Sequence, residues 1–247
     1  MARLAIFTDF DGTLVELAQT PQEIAVAEDL AGRIERAIAD LDSAFAVITG
    51  RPIDDIDRFL APLTLPVAGA HGTERRRADG SLEPADPQLT EKIDQIEDAL
   101  LPLVATHPEL ILERKPGTIA LHYRQAPQLE PACRIAIEEA VAQIEGFTVT
   151  EGKMVYEARP AGIDKGAALR AFMNEEPFAG RTPIFIGDDV TDEDAFLAAQ
   201  ELGGIGIKLG EGDTVARMRI ADVTSVHALL SGLGDIAQGR IEPQQTH

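Results

Sequence analysis

Two aspartates that directly follow an apolar strand are the feature that most constrains this chain. Residues 4–7 form an apolar run typical of a buried strand, and Gly12 provides a turn soon after it. Asp9 and Asp11 are therefore expected at the carboxyl end of a strand, which is where open α/β sheets bind ligands. Carboxylates this close repel each other unless a cation, a proton or a fixed donor compensates them. The pair predicts a site for a hard cation such as Mg²⁺, and a turn with incidental acids is the alternative.

A large excess of acidic residues limits the possible partners. The chain has 247 residues, of which 42 are acidic and 22 basic, so its formal net charge is −20. This field repels phosphate backbones and anionic lipids, so neither nucleic acid nor a membrane is an expected partner. No basic and apolar leader begins the sequence, no run is long enough to span a bilayer, and Cys133 is the single cysteine. These features predict a cytoplasmic protein in which Cys133 is a buried helical residue.

The order of the elements predicts two domains. Up to residue 72, apolar strands alternate with helices, which is typical of a parallel sheet with crossover helices. Hairpin, helix and hairpin patterns then follow one another over residues 109–158, which indicates an antiparallel α+β insertion. The predicted fold is α/β: a Rossmann-like parallel-sheet core formed by residues 1–84 and 161–247, with an inserted α+β cap at residues 85–160.

Two further sites along the chain offer groups that suit an anion. Thr49, Gly50 and Arg51 follow the second apolar strand, where a hydroxyl, backbone N–H groups and a guanidinium can hold phosphate oxygens. A strand-to-helix turn with Thr49 near the N-cap is the alternative. Lys165 lies in the first turn of a helix that Asp164 is expected to cap. A cation there opposes the helix dipole, which favours a lysine that meets an anion over an ordinary exposed lysine.

An acidic cluster follows another buried strand. Five acids lie within residues 188–194, directly after the apolar residues 183–186. Asp188 is nearest the strand and is the metal-ligand candidate. The later acids, which follow Thr191, are interpreted as negative charge at the start of a helix.

The segment between the core and the insertion carries weaker signals. His71 lies between small residues and is interpreted as a structural hydrogen-bonding residue, with an approach to substrate as the alternative. The run at residues 75–77 consists of three arginines and is interpreted as a solvated face, whereas Asp79-Gly80 predicts a hairpin turn.

The ordered set of motifs resembles the haloacid dehalogenase-like (HAD) phosphatase superfamily. Asp9 to Thr13, Thr49, Lys165 and Gly187 to Asp189 stand in the order of that superfamily's four motifs. A narrower resemblance, to the trehalose-6-phosphate phosphatases, extends into the insertion. It is carried by Gly187 to Phe196, His122-Tyr123-Arg124, Lys153 to Pro160, and Ala70-His71-Gly72.

This resemblance implies a mechanism and a cofactor. It implies that Asp9 attacks phosphorus and forms an aspartyl-phosphate, while Asp11 acts first as the acid and then as the base. Lys165 and Thr49 are implied to offset charge on the transferring group. The implied cofactor is Mg²⁺, held by Asp9, by Asp188 and by the backbone carbonyl of Asp11.

The resemblance also implies a small-molecule sugar phosphate as substrate. Lys153 and Glu157 match family positions that line the sugar pocket, and an exposed pair on a cap strand is the alternative. Arg114 is a further candidate, for which Lys115 competes. The full expected substrate-binding set is Gly50, Arg51, His71, Arg114, Lys153 and Glu157.

The implied activity is Mg²⁺-dependent hydrolysis of trehalose 6-phosphate in trehalose biosynthesis by a monomer or weak dimer. A phosphatase of the sucrose-phosphate or mannosyl-3-phosphoglycerate type is one alternative. A catalytically idle binding module is another, but its mark would be a missing nucleophile or lysine, and Asp9 and Lys165 are both present.

Overall fold

The computed structural model describes residues 3–18, 24–83, 87–115 and 117–237. Contacts divide the chain into two units, one formed by residues 1–82 and 164–247 and the other by residues 83–163. The predicted first boundary, between residues 84 and 85, lies outside the described residues. The second boundary follows residue 163, where the sequence predicted residue 160.

Strands and helices alternate through most of the described chain. The strands are β1 (Leu4–Thr8), β2 (Phe45–Ile48), β3 (Val67–Gly69), β4 (Glu74–Arg76), β5 (Ile111–Lys115), β6 (Thr118–His122), β7 (Phe147–Gly152), β8 (Val155–Pro160), β9 (Thr182–Gly187), β10 (Ile205–Leu209) and β11 (Met218–Ile220). The helices are α1 (Leu30–Asp40), α2 (Ile53–Leu60), α3 (Pro87–Thr106), α4 (Glu130–Ala142), α5 (Lys165–Met173), α6 (Glu193–Glu201) and α7 (Val223–Ala237). None of the helices in the described ranges combines the length and the apolar character that crossing a bilayer requires.

The first unit is built on a seven-stranded sheet with the order β11-β10-β9-β1-β2-β3-β4. All neighbouring strands are parallel except β3 and β4. The apolar β1 lies at the centre, where Phe7 pairs with Ala46 on one side and with Phe185 on the other. Because the three strands run in register, the residues that follow β1, β2 and β9 emerge at one edge of the sheet. The predicted α/β class and parallel core are confirmed.

The arginine run after β3 is buried, so the prediction of a solvated face is wrong for two of its members. Arg75 and Arg76 lie on β4, which pairs antiparallel with β3 and closes this end of the sheet. Burial of each guanidinium is compensated by a carboxylate, Glu175 at 3.0 Å and Asp57 at 2.6 Å. The predicted turn at Asp79-Gly80 is confirmed, because Arg76 and Leu82 pair antiparallel across it.

The second unit is an antiparallel sheet with the order β5-β6-β8-β7, and two helices cover one of its faces. Its core joins α3 and α4 to alternate strand residues, including Leu121 and Tyr156. Cys133 on α4 is buried in this core as predicted, and burial raises the pKa of its thiol. The predicted hairpin, helix and hairpin order of the insertion is therefore confirmed.

Candidate active site

A buried ion pair lies at the carboxyl edge of the parallel sheet. Asp9 follows β1 and is 5% exposed, and Lys165 begins α5 and is 2% exposed. The Nζ of Lys165 lies 2.9 Å from Oδ2 of Asp9, and the backbone N–H of Phe10 donates to Oδ1 of Asp9 at 2.7 Å. Asp164 caps α5 by accepting from the backbone N–H of Ala167 at 2.7 Å. The expectation that Asp164 caps this helix is confirmed, and the alternative of an ordinary exposed Lys165 is wrong.

Asp192 is a site residue that sequence reasoning set aside as a helix cap. Its Oδ2 does accept backbone N–H groups, those of Asp188 and Asp189, each at 2.9 Å. Its Oδ1, however, accepts from Nζ of Lys165 at 2.7 Å, and the residue is completely buried. The sequence spacing that could have indicated this role is the four-residue interval between Asp188 and Asp192. A tight 3-10 turn within this interval brings Asp192 back toward the site.

Asp188 is fixed by contacts with the loop that follows β1. The hydroxyl of Thr13 donates to Oδ1 of Asp188 at 3.2 Å. Gly12 adopts a positive φ of 71°, and a Cβ at this position would overlap the Asp188 carboxylate. Glycine is therefore required here both by the backbone conformation and by the close approach of the acid.

The acids at this edge carry more negative charge than one lysine compensates. Burial raises the pKa of Asp9 to about 8, although Lys165 acts to lower it. Burial and the charge of Asp192 raise the pKa of Asp188 to about 6. Burial alone would lower the pKa of Lys165, but Asp192 and Asp9 together raise it above its usual value. A second cation at this position would lower the pKa of both aspartates.

The donor set fits a hard divalent cation. Within the described ranges, Asp9, Asp188 and Asp192 form a group whose nearest carboxylate oxygens all lie within 4.8 Å of one another. Each of the three can offer one carboxylate oxygen to an ion, although Asp9 and Asp192 both also contact Lys165. Oxygen ligands of this kind suit Mg²⁺.

The loop after β2 joins four of the predicted residues. The hydroxyl of the buried Thr49 accepts from the backbone N–H of Arg51 at 3.2 Å. The backbone N–H of His71 donates to the carbonyl of Thr49 at 2.9 Å. The imidazole of His71 packs against Gly50, where a Cβ would lie 2.7 Å from the ring. His71 thus supports the loop that was predicted to hold phosphate.

Arg51 and Asp11 form a bidentate ion pair. Nε of Arg51 lies 2.6 Å and Nη2 lies 2.8 Å from the two carboxylate oxygens of Asp11. The guanidinium that was predicted to hold an anion therefore binds this carboxylate in the present structure. The Asp11 side chain also lies outside the group of three acids, which leaves its backbone carbonyl as the predicted metal ligand.

The second unit carries a polar cluster on the sheet face opposite its helix-packed core. Glu157 on β8 accepts from the hydroxyl of Thr118 at 2.9 Å, and Nζ of Lys115 lies 4.0 Å from the same carboxylate. Strand pairing places all three residues on one face. Lys153 is exposed in the turn between β7 and β8.

Arg114 lies on the other face of this sheet, toward α3. Its guanidinium lies 2.6 Å from Asp94 and 2.7 Å from Glu97, both on that helix. Successive residues of a strand point to opposite faces, so Arg114 and Lys115 cannot serve the same face. Lys115 therefore shares a face with Glu157, whereas Arg114, the residue predicted for the sugar-binding set, does not.

Comparisons with known proteins agree with this site. The sequence model described as trehalose-phosphatase matches residues 7–224. The chain belongs to the trehalose-phosphatase family. A trehalose-6-phosphate phosphatase of Escherichia coli (strain K12) is 38% identical over 243 residues, which cover 98% of this chain and 90% of that protein.

Solved structures place this trehalose-phosphatase family member in a wider fold group. The crystal structure of a trehalose-6-phosphate phosphatase related protein matches with a TM-score of 0.76 and 30% identity, covering 96% of this chain and 100% of the other. A phosphatase of the HAD superfamily from Bacteroides thetaiotaomicron shares the fold, with a TM-score of 0.63 and 17% identity over 95% of this chain and 96% of its own. The expected HAD fold is confirmed.

Replacing Gly12 by alanine is expected to impair this member of the trehalose-phosphatase family by displacing Asp188. Gly80→Ala is a matched control, because Gly80 also has a positive φ, of 82°, but nothing lies within 4 Å of its added Cβ. Gly80→Ala should lose only the strain energy, about 1 kcal/mol, and keep its turnover. Gly12→Ala should lower phosphatase turnover by about 100-fold, the cost of an ångström-scale misplacement. Thermal unfolding and phosphate release measure the two effects, and equal turnover in both variants would contradict this account.

Proposed function

We propose that this chain hydrolyses trehalose 6-phosphate to trehalose and inorganic phosphate. It is a member of a family of phosphoric monoester hydrolases. The observation that carries the proposal is the buried Asp9, which is paired with Lys165 beside Asp188 at the ligand-binding edge of the sheet. The 38% identity with the Escherichia coli trehalose-6-phosphate phosphatase supports the choice of sugar.

The proposed first step transfers the phosphoryl group to Asp9. A carboxylate oxygen of Asp9 attacks phosphorus while the bond between phosphorus and the sugar oxygen breaks, which gives an aspartyl-phosphate and trehalose. Asp11 donates a proton to the departing oxygen. It then takes a proton from the water that attacks the aspartyl-phosphate, and this second step releases phosphate and restores Asp9.

Cations and N–H groups around Asp9 stabilise the charge of the transferring group. Lys165 supplies a fixed positive charge, and the loop at Thr49 and Gly50 supplies a hydroxyl and backbone N–H groups. Mg²⁺, held by Asp9, by Asp188 and by the backbone carbonyl of Asp11, would supply further positive charge and keep the nucleophile ionised. Positioning and electrostatics of this kind account for most of the catalysis of phosphoryl transfer.

Arg51 has two roles in the proposed mechanism, one toward Asp11 and one toward the substrate phosphate. Its guanidinium holds the Asp11 carboxylate with two short hydrogen bonds. A substrate phosphate presents the same arrangement of oxygens to the guanidinium. Binding of substrate would therefore draw Arg51 toward the phosphate and release Asp11 to carry a proton.

A panel of sugar phosphates tests the proposed activity. Phosphate release is measured with trehalose 6-phosphate, sucrose 6-phosphate and mannosyl-3-phosphoglycerate, each with Mg²⁺ and with a chelator. We expect the highest kcat/KM for trehalose 6-phosphate and no turnover with the chelator. A preference for another sugar would replace the substrate assignment, and full activity with the chelator would reject the Mg²⁺ requirement.

The polar cluster on the second unit is proposed to bind the sugar hydroxyls. Lys115→Met removes a charged donor beside Glu157 and is expected to raise the KM for trehalose 6-phosphate about tenfold. Arg114→Met is the matched control, because it changes the next residue of the same strand on the opposite face. Its KM should stay within about twofold of wild type. Steady-state kinetics measure the KM of both variants. A larger rise in KM for Arg114→Met than for Lys115→Met would support Arg114 as the sugar-binding residue.

Mg²⁺ affinity is expected to rise with pH because protons compete for the same aspartates. The raised pKa values of Asp9, about 8, and Asp188, about 6, mean that the metal must displace protons at lower pH. The folded chain holds these protons more tightly than the unfolded chain does. Stability of the metal-free protein should therefore fall as pH rises through about 6 and about 8, and Mg²⁺ should restore it. Calorimetric titration and thermal unfolding measure both trends, and an affinity that is independent of pH would contradict them.

Other expectations stay predictions. The proposed partner is a small sugar phosphate, and the net charge of −20 disfavours nucleic acid. The expected cytoplasmic location and the monomer or weak-dimer state are part of this proposal.

A further inference from the structure

A second buried lysine contacts the candidate metal site from a neighbouring strand. Lys208 lies on β10 and pairs in register with Gly187 at the end of β9. It is 6% exposed, and its Nζ donates a hydrogen bond to the backbone carbonyl of Asp188. Among the residues that the structure describes, no carboxylate oxygen lies within the 4.0 Å ion-pair distance of this ammonium.

A buried ammonium without an ion pair is costly, so this position needs a reason. Lys208 is the one charged residue in the sequence Ile-Gly-Ile-Lys-Leu of β10. An apolar side chain would fit such a strand at lower cost. The carbonyl that Lys208 contacts belongs to the residue proposed to hold Mg²⁺, which points to a role in placing that residue.

The turn that carries Asp188 is fixed from two sides. On one side, Asp192 accepts the backbone N–H groups of Asp188 and Asp189, each at 2.9 Å. On the other side, Lys208 binds the carbonyl of Asp188. With the backbone held at both its N–H and its C=O, the Asp188 carboxylate is directed to Thr13, which donates to it at 3.2 Å.

We propose that Lys208 is a positioning residue that holds the Asp188 backbone so that its carboxylate can bind Mg²⁺. The inference rests on the proposed Mg²⁺ site of the phosphatase. Groups that orient metal ligands typically contribute 10- to 100-fold to metal affinity, so an effect of about tenfold or more is expected.

The direction in which Mg²⁺ affinity changes when Lys208 is replaced distinguishes a positioning role from a purely electrostatic one. Removing a nearby positive charge, with nothing else altered, strengthens the binding of a cation. Removing the hydrogen bond that orients a ligand weakens it. Lys208→Met removes both, so weaker Mg²⁺ binding identifies the positioning role.

The test is calorimetric titration of Mg²⁺ into the phosphate-free full chain. Lys208→Met should bind Mg²⁺ about tenfold more weakly than wild type, and Lys208→Arg should recover most of the affinity. Lys92→Met is the matched control, because Lys92 also donates to a backbone carbonyl, that of Glu145, at 2.8 Å but in the second unit. Binding by Lys208→Met that equals or exceeds that of wild type would overturn the proposal.

Two further measurements keep the outcome clear. If Lys208→Met fails to fold, Lys208→Gln replaces it: Gln is neutral and one atom shorter, so positioning still predicts weaker binding and charge alone predicts tighter binding. Turnover of trehalose 6-phosphate by the wild type is measured separately. If Mg²⁺ binding depends on Lys208 but the wild type does not turn over trehalose 6-phosphate, only the substrate assignment is rejected. If the wild type binds no Mg²⁺, the proposed role of Lys208 is rejected.

Discussion

Asp9→Asn is expected to lower the turnover of trehalose 6-phosphate by about 10⁴-fold or more, since it removes the nucleophile. The amide has nearly the same shape as the carboxylate but cannot form the acyl phosphate. The fold should be kept, because burial already raises the pKa of Asp9 and disfavours its charged form. Lys165 also retains its contact with Asp192 at 2.7 Å. Steady-state phosphate release at saturating Mg²⁺ measures the loss.

Asp79→Asn is the matched control for this variant. Asp79 lies in the exposed turn after β4, where its side chain accepts from the backbone N–H of Ser81 at 2.9 Å. An asparagine oxygen can accept the same bond, so activity and unfolding temperature should match wild type. Comparable turnover in Asp9→Asn and Asp79→Asn would reject Asp9 as the nucleophile.

Lys165→Met is expected to have the second largest effect, on both stability and activity. The change leaves the buried Asp9 and Asp192 without their shared cation, which should cost about 3 kcal/mol of unfolding free energy without metal. Turnover should fall by about 10³-fold because a fixed charge beside the transferring group is lost. Urea unfolding and phosphate release measure the two losses.

Added Mg²⁺ sharpens the prediction for Lys165→Met. A second cation can compensate the acids, so Mg²⁺ should restore part of the stability but not the turnover. Lys92→Met is the control, because Lys92 donates to the backbone carbonyl of Glu145 in the second unit, so its replacement should change neither property. Wild-type stability and turnover in Lys165→Met would show that this charge is not needed at the site.

Part of the site could be predicted from the sequence because local patterns combine with the parallel pairing of the strands. Each predicted catalytic or metal-binding residue follows an apolar strand or begins a helix, and strands β1, β2 and β9 run in register. Their carboxyl ends must therefore meet at one edge. This is why Asp9, Thr49 and Asp188 could be assigned to one edge from residues far apart in the chain.

Other features depend on long-range pairing that no local pattern contains. Lys208 is an isolated charge in an apolar strand, and its contact with Asp188 exists because β10 lies next to β9. The burial of Arg75 and Arg76 likewise depends on their partners Glu175 and Asp57. Charged residues are normally exposed unless paired, and the pairing was not visible in the sequence.

The choice between Arg114 and Lys115 did have a sequence signal. Leu110 and Leu112 share the parity of Arg114, whereas the acidic Glu109 and Glu113 share the parity of Lys115. In an amphipathic strand this parity predicts that Arg114 points to the apolar core side and Lys115 to the polar side. The structure shows that arrangement, with Leu110 and Leu112 packed in the core of the second unit.

The transfer of phosphate to Asp9 is tested most directly by trapping it. Enzyme is mixed rapidly with trehalose 6-phosphate and Mg²⁺, quenched in acid during the first turnover, and digested for mass analysis of the peptide that contains residue 9. We predict one phosphoryl group on Asp9 that forms before free phosphate appears and is absent from Asp9→Asn. Release of phosphate at the full rate with no phosphoryl group on residue 9 at any quench time would contradict the mechanism.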